Sequence, residues 1–360
     1  MSDVPLRAAR EELAYLSAAG DAVRNEAVEV GTPGPAPEYL SARSVTLADG
    51  TTARQLLTGD RDRESGYQRL DNEILAGIRL ARIAPSGAYP PEVSRLLGYE
   101  PSSAAPFALL EPYRGDAIAE VGRRMLPDDQ RRFQVSLLAG LCWLAAAGVV
   151  HRALGPSAVL WDGQRVQITD FSRATVVGAP REDIGEPPWA APEQRRGQVA
   201  GLASHRDDVW AAGQLIHFVR TGQLPADPGQ LAGGPDLEAL LAGVFGPAED
   251  RPSASCLLTE RLRQASPVPD YPDVDPLERG RQRFAELRAR KHPGASPAGG
   301  AAALPRPGQQ GPPADRDHKP DGAGDGVAAR ATGSGPSARR RFRLMGGLTA
   351  MLSPVPLLIR

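Results

Sequence analysis

The spacing of apolar residues changes about one third of the way along this 360-residue chain, and the change limits the fold class. Before residue 127, short apolar runs predict β-strands at 39–47, 51–58, 93–99 and 106–112. Residues 65–83 carry an apolar stripe at helical spacing and predict one long helix. From 127 to 265 the pattern is mostly helical, so we expect an α+β fold whose β-rich part comes first.

Domain boundaries follow from breaks in this pattern. Leu6, Ala9, Leu13 and Leu16 recur at helical spacing and predict a helix at the N-terminus. The expected segments are an N-terminal helix at 1–24, a β-rich part at 25–112, a helical part at 113–265, a helical extension at 266–292, a disordered linker at 293–338 and a basic and apolar tail at 339–360.

The linker and the tail differ in composition. Residues 293–338 are dominated by Ala, Gly, Pro and charged residues, which cannot bury enough apolar surface to fold. Arg339–Arg341 and Arg343 precede an apolar run at 344–359 that Pro354 and Pro356 interrupt. Since a membrane span needs about 20 apolar residues, weak interfacial association of 339–359 with anionic lipid fits better than a span. A tail without any membrane role remains a third interpretation.

Charge and cysteine content exclude several classes of function. The formal net charge of -1 gives no attraction to nucleic acid, and none is expected as a partner. The two cysteines, Cys142 and Cys256, lie in apolar stretches and are expected to be small buried side chains. They cannot form a disulfide framework, which favours a reducing environment. The first residues are polar and lack the apolar core of a secretory signal, so a cytoplasmic location is expected.

Several short motifs follow one another in a fixed order. They are V-V-H-R-A-L-G-P-S-A-V-L at 149–160, I-T-D-F-S at 168–172, A-A-P-E at 190–193, D-D-V-W-A-A-G at 207–213 and E-D-R-P-S-A at 249–254. In this order they resemble motifs of eukaryotic-type protein kinases, a family that includes bacterial Ser/Thr kinases. The resemblance covers roughly residues 25–265 and implies a bilobal protein-kinase-like fold. It assigns structural roles to His151, Arg152, Phe171, Glu193, Asp208 and Arg251, with Arg251 pairing Glu193.

The residues that a kinase uses for phosphoryl transfer are missing from these motifs. The resemblance puts Ala153 where the catalytic aspartate stands, Gly155 at the following lysine and Ala158 at the asparagine that holds magnesium. Loss of a general base alone costs about 10²–10⁴ in rate, and residues 150–160 contain no Asp or Glu that could replace it. The chain therefore looks like a degenerate member of the family, a pseudokinase.

The strand lysine that pairs with ATP phosphates aligns with Gln55 in T-A-R-Q-L-L at 52–57. A slip of one residue would put Arg54 there, but the two-residue alternation of a strand favours Ala53 and Gln55 on the nucleotide face. Glu73 resembles the helix glutamate that pairs with this lysine. It either pairs with Arg54 or faces solvent, and we expect solvent.

A nucleotide site is only partly retained. Leu110, Glu111 and Tyr113 lie in the segment that resembles the gatekeeper and hinge, whose backbone would bind adenine. The Gly-rich phosphate loop is reduced to G-T-P-G-P-A-P at 31–37, where prolines remove N–H donors. Asp170 either binds a magnesium ion or accepts hydrogen bonds from nearby N–H groups. ATP and magnesium are thus the cofactors that the resemblance implies, without being required.

Two functions remain open. The first is a regulatory or scaffolding module that binds other, unidentified signalling proteins. The second is an atypical Ser/Thr kinase or another ATP-dependent transferase with non-standard catalytic residues. The richness in Ala, Arg, Gly and Pro suggests a high-GC bacterial source.

Overall fold

Six antiparallel strands in the N-terminal part close into a barrel in the order β1-β2-β3-β4-β6-β5. The computed structural model describes residues 9–20, 22–84, 89–184, 186–223, 231–269 and 275–291. The barrel strands are β1 (Ala9–Ser17), β2 (Val23–Gly34), β3 (Leu40–Thr46), β4 (Thr52–Thr58), β5 (Leu96–Glu100) and β6 (Phe107–Leu110). Pairing of Leu16 with Tyr99 and of Ser17 with Gly98 joins β1 to β5 and closes the barrel. Residues 9–117, which include the long helix α1 (Arg63–Ile83), are called the barrel part.

The predicted N-terminal helix at 1–24 is wrong, because its described residues form β1 and the start of β2. β1 pairs antiparallel with β2 from Ala9 to Leu16. Leu13 and Tyr15, two residues apart, both point into the barrel and are 7% and 3% exposed. The helical spacing of apolar residues was real, but a two-residue alternation was present in the same segment, and pairing within the barrel selects it.

One long helix packs against the barrel, as the sequence predicted. α1 (Arg63–Ile83) begins at Asp62, whose carboxylate accepts hydrogen bonds from the N–H groups of Glu64 and Ser65. Leu70 and Ile74 of α1 belong to one apolar cluster with side chains of the barrel strands. The helix is thereby fixed against β4, the strand that carries the candidate site.

The rest of the described chain, residues 118–291, is mainly helical and is called the helical part. Its main helices are α2 (Ile118–Val121), α3 (Pro127–Ala147), α4 (His205–Thr221), α5 (Pro235–Leu241), α6 (Ala254–Cys256) and α7 (Pro276–Lys291). Short strands between them are β8 (Val149–Val150), β9 (Val159–Trp161), β10 (Val166–Ile168) and β11 (Thr175–Val176), and β7 (Asp116–Ala117) precedes α2. Its apolar core centres on α3 and α4.

Local sequence signals explain several of these boundaries. α3 ends at Gly148, which has φ 65°, the left-handed conformation that glycine adopts most easily. The predicted hairpin turn at Asp162-Gly163 joins β9 to β10. The expected helix at 253–265 is shorter, because α6 passes into a π-helical turn (Leu257–Arg261).

The predicted linker at 293–338 and tail at 339–360 lie outside the described residues. Within the described part of the chain, every helix is too short or too polar to cross a bilayer. Cys142 is buried as expected, whereas Cys256 is only partly buried, and neither forms a disulfide.

Candidate functional site

A cavity of about 750 Å³ lies between the barrel part and the helical part. The connection from β2 to β3 and strand β4 form one side of it, and residues following β6 and β9–β10 form the other. Its lining includes Pro33, Pro35, Pro37, Ala53, Arg54, Pro112, Tyr113, Glu120, Ser157 and Asp170. This is where the sequence motifs predicted a nucleotide site.

Arg54, and not Gln55, presents its side chain to this cavity. The Arg54 guanidinium lies 4.8 Å from the centre of the Tyr113 ring and donates a hydrogen bond to the carbonyl of Pro35. Gln55 is 1% exposed, and its Oε1 accepts from Nε of Arg43 at 2.7 Å. The assignment of Gln55 to the nucleotide face was therefore wrong. The reason is the register of β4, in which Leu56 packs with the residues of α1 and Arg54 lies on the same face.

The cation of β4 beside the cavity is an arginine, in a chain that contains almost no lysine. The sequence contains only Lys291 and Lys319, both beyond the barrel part and the main helical core. A guanidinium differs from an ammonium because it is planar, stacks on aromatic rings and can donate in two directions at once. Arg54 uses the stacking mode with Tyr113. A positively charged side chain is thus retained next to the cavity, as an arginine in place of the lysine that the resemblance implies.

Tyr113 lines the cavity. Its hydroxyl is buried close to Glu73 and Asp170, and this burial raises the pKa of Tyr113 well above its usual value. The neighbouring backbone offers few donors to an adenine. The N–H of Glu111 already donates to the carbonyl of Arg95 at 2.9 Å, and Pro112 has no N–H. The N–H of Arg114 donates to Oε1 of Gln167 at 2.8 Å.

The other two residues of the predicted hinge point away from the cavity. Leu110 is buried in the apolar cluster that joins the barrel to α1. The Glu111 side chain lies 3.4 Å from Arg95 in an ion pair on the outer side. Neither residue lines the cavity, which leaves Pro112 and Tyr113 as the segment's contribution to it.

Glu73 is buried, so the expectation that it faces solvent was wrong. Burial, reinforced by the nearby Asp170, raises its pKa to about 8, while the N–H of Phe171 and the charge of Arg54 act in the opposite direction. Its Oε2 has no hydrogen-bond partner among the described residues. At neutral pH this carboxyl is therefore largely protonated, and it forms no ion pair with Arg54 within the described structure.

Asp170 is held by its own turn. It adopts φ 62°, and its Oδ1 accepts from the hydroxyl of Ser172 at 2.6 Å and from the Ser172 N–H at 3.3 Å. Ala158, at the position where the family has a second metal ligand, offers no donor atom. The described residues contain no group of three His, Cys, Asp or Glu side chains arranged around a common point. Of the two positions where the family holds magnesium, Asp170 keeps a carboxylate, and a magnesium ion here would need its other oxygen ligands from phosphate and water.

The loop that carries Ala153 and Gly155 is firmly anchored although it lacks an acid. The N–H groups of His151 and Arg152 donate to the two carboxylate oxygens of Asp208 at 2.7 and 2.9 Å. Burial raises the pKa of Asp208 to about 7, and these two donors limit the rise. His151 is buried, contacts the carbonyl of Thr169 at 2.9 Å and packs on the Phe171 ring at 5.1 Å.

A buried ion pair anchors the later part of this region. Nη1 of Arg251 lies 2.9 Å from Oε1 of Glu193 and also donates to the carbonyl of Arg206 at 2.7 Å. Its guanidinium stands 5.2 Å from the centre of the Trp210 ring. Burial opposes ionisation of Glu193, but the hydrogen bond and charge of Arg251 keep the pKa of that carboxyl below its usual value.

Sequence reasoning missed the ion pairs of the segment 170–193, one of which joins it to Arg152. Nη1 of Arg152 lies 2.8 Å from Oε2 of the exposed Glu182. Arg152 also donates to the carbonyls of Arg173 and Ala174 from the same guanidinium. The signal that could have found this pair is Arg152 itself, because a buried arginine needs an anionic partner and Glu182 follows it in the chain. The segment is thus tied to the anchored loop by a carboxylate.

Comparison with known proteins gives partial matches. A stretch of 123 residues is 33% identical to "CBL-interacting protein kinase 4" of Oryza sativa subsp. japonica, covering 32% of this chain and 27% of that protein. A stretch of 169 residues is 28% identical to "Serine/threonine-protein kinase PLK4" of Xenopus laevis, covering 44% of this chain and 17% of that protein. The "Carbon catabolite-derepressing protein kinase" of Candida tropicalis is 32% identical over 112 residues, which are 30% of this chain and 18% of that protein.

No family model matches the chain. The chain spans less than a third of the length of the curated relatives named above. These proteins and this chain share only part of their sequences. The motifs that hold the loop with Ala153 and the ion pair of Arg251 with Glu193 also resemble those of protein kinases. The chain is therefore protein-kinase-like, with Ser/Thr protein kinases as its relatives over a third to nearly a half of its length.

Proposed function

We propose that this chain is a pseudokinase: a bilobal kinase-like module that regulates or scaffolds signalling proteins and does not transfer phosphate. The observation that carries the proposal is a contrast between the residues that hold the structure, which are present, and the residues that transfer phosphate, which are replaced. Asp208 and Arg251 hold the loop and the buried ion pair, whereas Ala153 and Ala158 stand at the positions of the acid and of the metal ligand. A protein that is selected for its binding surface needs the structural residues but does not need the catalytic ones.

The cavity supports the same conclusion. Phosphoryl transfer depends on positioning and on neutralising charge around the phosphates. Here the lining carboxylates are Asp170, which is bonded to Ser172, and Glu120. Three prolines at the end of β2 and in the β2–β3 connection remove backbone donors that would hold phosphate. A nucleotide that bound here would meet Arg43 and Arg54 as cations and Tyr113 as its aromatic neighbour.

Partner proteins are proposed to bind through the helical part and the segment 170–193. In that segment Arg152 pairs with Glu182, and Arg181 pairs with the buried Asp207 at 2.8 Å, so the segment is tied to the helical part without a covalent modification. A fixed segment offers a constant surface, as a scaffold requires.

The test is transfer of phosphate by the full-length chain, incubated with ATP and magnesium together with generic protein acceptors and analysed by mass spectrometry. We expect no modification of the chain or of the acceptors. Transfer that disappears in Asp170→Asn and persists in Asp60→Asn, a change of an exposed carboxylate after β4, would overturn the proposal.

An atypical kinase or another ATP-dependent transferase is the alternative. It is favoured by one observation, that Asp170 and Arg54 still line one cavity of sufficient size for a nucleotide. Thermal unfolding of the full-length chain with ATP separates the two. A rise in melting temperature that requires magnesium would favour the transferase. A rise without magnesium, or no rise at all, favours the pseudokinase. A ligand at 100 times its dissociation constant adds about 2.7 kcal/mol.

A further inference from the structure

A second cavity, of about 510 Å³, lies within the helical part and shares no lining residue with the first. It is bounded by the first turns of α3, the end of α4, helix α5 and the residues of the π-helical turn. We refer to it as the arginine groove. Its lining residues are Pro127, Gln130, Arg131, Gln134, Arg220, Asp236, Leu237, Ala239, Leu240, Glu260, Arg261, Leu262 and Arg263.

The groove carries an excess of positive charge. Four arginines line it, namely Arg131, Arg220, Arg261 and Arg263, against the two carboxylates Asp236 and Glu260. All four arginines are exposed. None of them forms an ion pair with a carboxylate among the described residues. The positive charge is therefore available to a ligand.

Three of the arginines are held in place by neutral acceptors. Nη2 of Arg131 donates to the carbonyl of Leu262, and Nη1 of Arg261 donates to the carbonyl of Ala239. Nη1 of Arg220 donates to Oε1 of Gln130 at 3.1 Å. Each guanidinium has five N–H donors, so one bond orients it and leaves the others free. Side chains that are oriented in advance lose less entropy when a ligand binds.

The fourth arginine sits in an unfavourable backbone conformation. Arg263 has φ 55°, the left-handed region, directly after the π-helical turn and Leu262. Residues other than glycine are disfavoured there, and π-helical turns are common at functional sites. A glycine at this position would relieve the strain. That an arginine stands there instead indicates that its side chain has a role besides folding.

The floor of the groove is apolar. Leu237, Leu240 and Leu262 are buried beneath the arginines. A compact anion would use one or two guanidinium groups and none of this surface. An extended chain with several carboxylates and an occasional apolar side chain would use both.

We propose that the arginine groove binds an acidic peptide segment of a partner protein. The inference names a partner class for the proposed scaffold, but it does not depend on whether the first cavity transfers phosphate. Charge complementarity would speed the encounter, and the apolar floor would select among acidic sequences.

The test uses two fluorescent 12-residue peptides, one of Glu-Glu-Leu-Gly repeats and one with Lys in place of Glu. Fluorescence anisotropy with the full-length chain at low salt should show binding of the acidic peptide only, and added salt should weaken it. Equal binding of the Lys peptide would overturn the proposal. So would preferential binding of a single-stranded oligonucleotide, or full competition by millimolar inorganic phosphate, which would indicate a small-anion site.

Two variants locate the binding. Arg261→Ala and Arg263→Gly should each weaken the acidic peptide about two- to fivefold, and together about tenfold. Arg263→Gly should leave the melting temperature unchanged or raise it, because glycine accepts the left-handed conformation. Arg61→Ala, a change of an exposed arginine in the barrel part, is the matched control and should have no effect. Unchanged affinity in the double variant would overturn the assignment, and the phosphate-transfer assay would still report separately on the first cavity.

Discussion

The guanidinium of Arg54 lies 4.8 Å from the centre of the Tyr113 ring, and both side chains line the first cavity. The Tyr113 hydroxyl is buried, and the carboxyl groups of Glu73 and Asp170 are near enough to raise its pKa further. A nucleotide that filled the cavity would meet this pair, so we expect the Tyr113 ring to limit how much of the cavity a nucleotide can occupy.

Replacing Tyr113 with alanine should open the cavity. We expect Tyr113→Ala to lower the melting temperature without ligand, since truncating a large, mostly buried side chain costs about 3–5 kcal/mol. In the same variant, ATP should raise the melting temperature by more than it does in the wild type. Differential scanning fluorimetry of both proteins, with and without ATP, measures this. An identical ATP response would mean that Tyr113 does not limit access.

The buried Glu73 should make stability depend on pH. Its pKa is about 8 in the folded protein, against 4.5 for the free side chain. The folded state thus binds its proton more tightly, so stability falls as pH rises from about 4.5 to 8. At about 1.4 kcal/mol per pKa unit, the loss is at most about 5 kcal/mol.

Glu73→Gln should remove that part of the pH dependence, because glutamine stays neutral. Above pH 8 the variant should melt at a higher temperature than the wild type, and near pH 5 the two should be similar. Asp208, whose pKa is also raised, is present in both proteins and cancels in the comparison. Parallel curves from pH 5 to 9 would contradict a perturbed Glu73.

The buried Arg251 should be the costliest of the ion-pair residues to remove. Arg251→Leu leaves Glu193 with only the more distant Arg181, at 4.0 Å, and leaves two carbonyls without this donor. A loss of about 3–5 kcal/mol is expected in urea unfolding. Arg10→Ala removes an exposed pair with Glu29 and should change stability by less than about 1 kcal/mol. Similar losses in the two variants would argue against a special role for the buried pair.

Charge reversal at Glu182 should loosen the segment 170–193. Glu182→Lys places a cation beside the buried side of Arg152, where the wild type has an attractive contact at 2.8 Å. We expect faster limited proteolysis within the segment and faster hydrogen exchange of its amides, with little change in the melting temperature. Glu29→Lys, which affects an exposed pair with Arg10 in the barrel part, serves as a comparison. Equal protection in all three proteins would show that Glu182 does not hold the segment.

The sequence motifs predicted the residues that hold the site in place better than they predicted the residues that line the cavity. His151, Asp208, Glu193 and Arg251 could be placed from the sequence because each lies in a motif whose order along the chain is specific. Gln55 could not, since a slip of one residue in a strand exchanges its two faces. Only the packing of Leu56 on α1 decided between the faces.

Burial was the harder quantity to predict. The charge of Glu73 suggested exposure, yet its place on the inner face of α1 is set by the position of the barrel. Leu13 and Tyr15 show the same dependence, because β1 becomes a strand only where β2 and β5 pair with it. In each case contacts between distant segments outweighed the local pattern.

Closure of the barrel has a consequence for how other proteins can attach to it. Because β1 pairs with β5, each of the six strands has a neighbour on both sides. The seam is short, however, because β1 pairs with β5 only at Leu16 and Ser17, and residues 9–15 of β1 have β2 as their one paired strand among the described residues. Addition of a strand by a partner, a common mode of peptide capture, is therefore confined to that edge of β1, and the rest of the barrel is recognised through side chains.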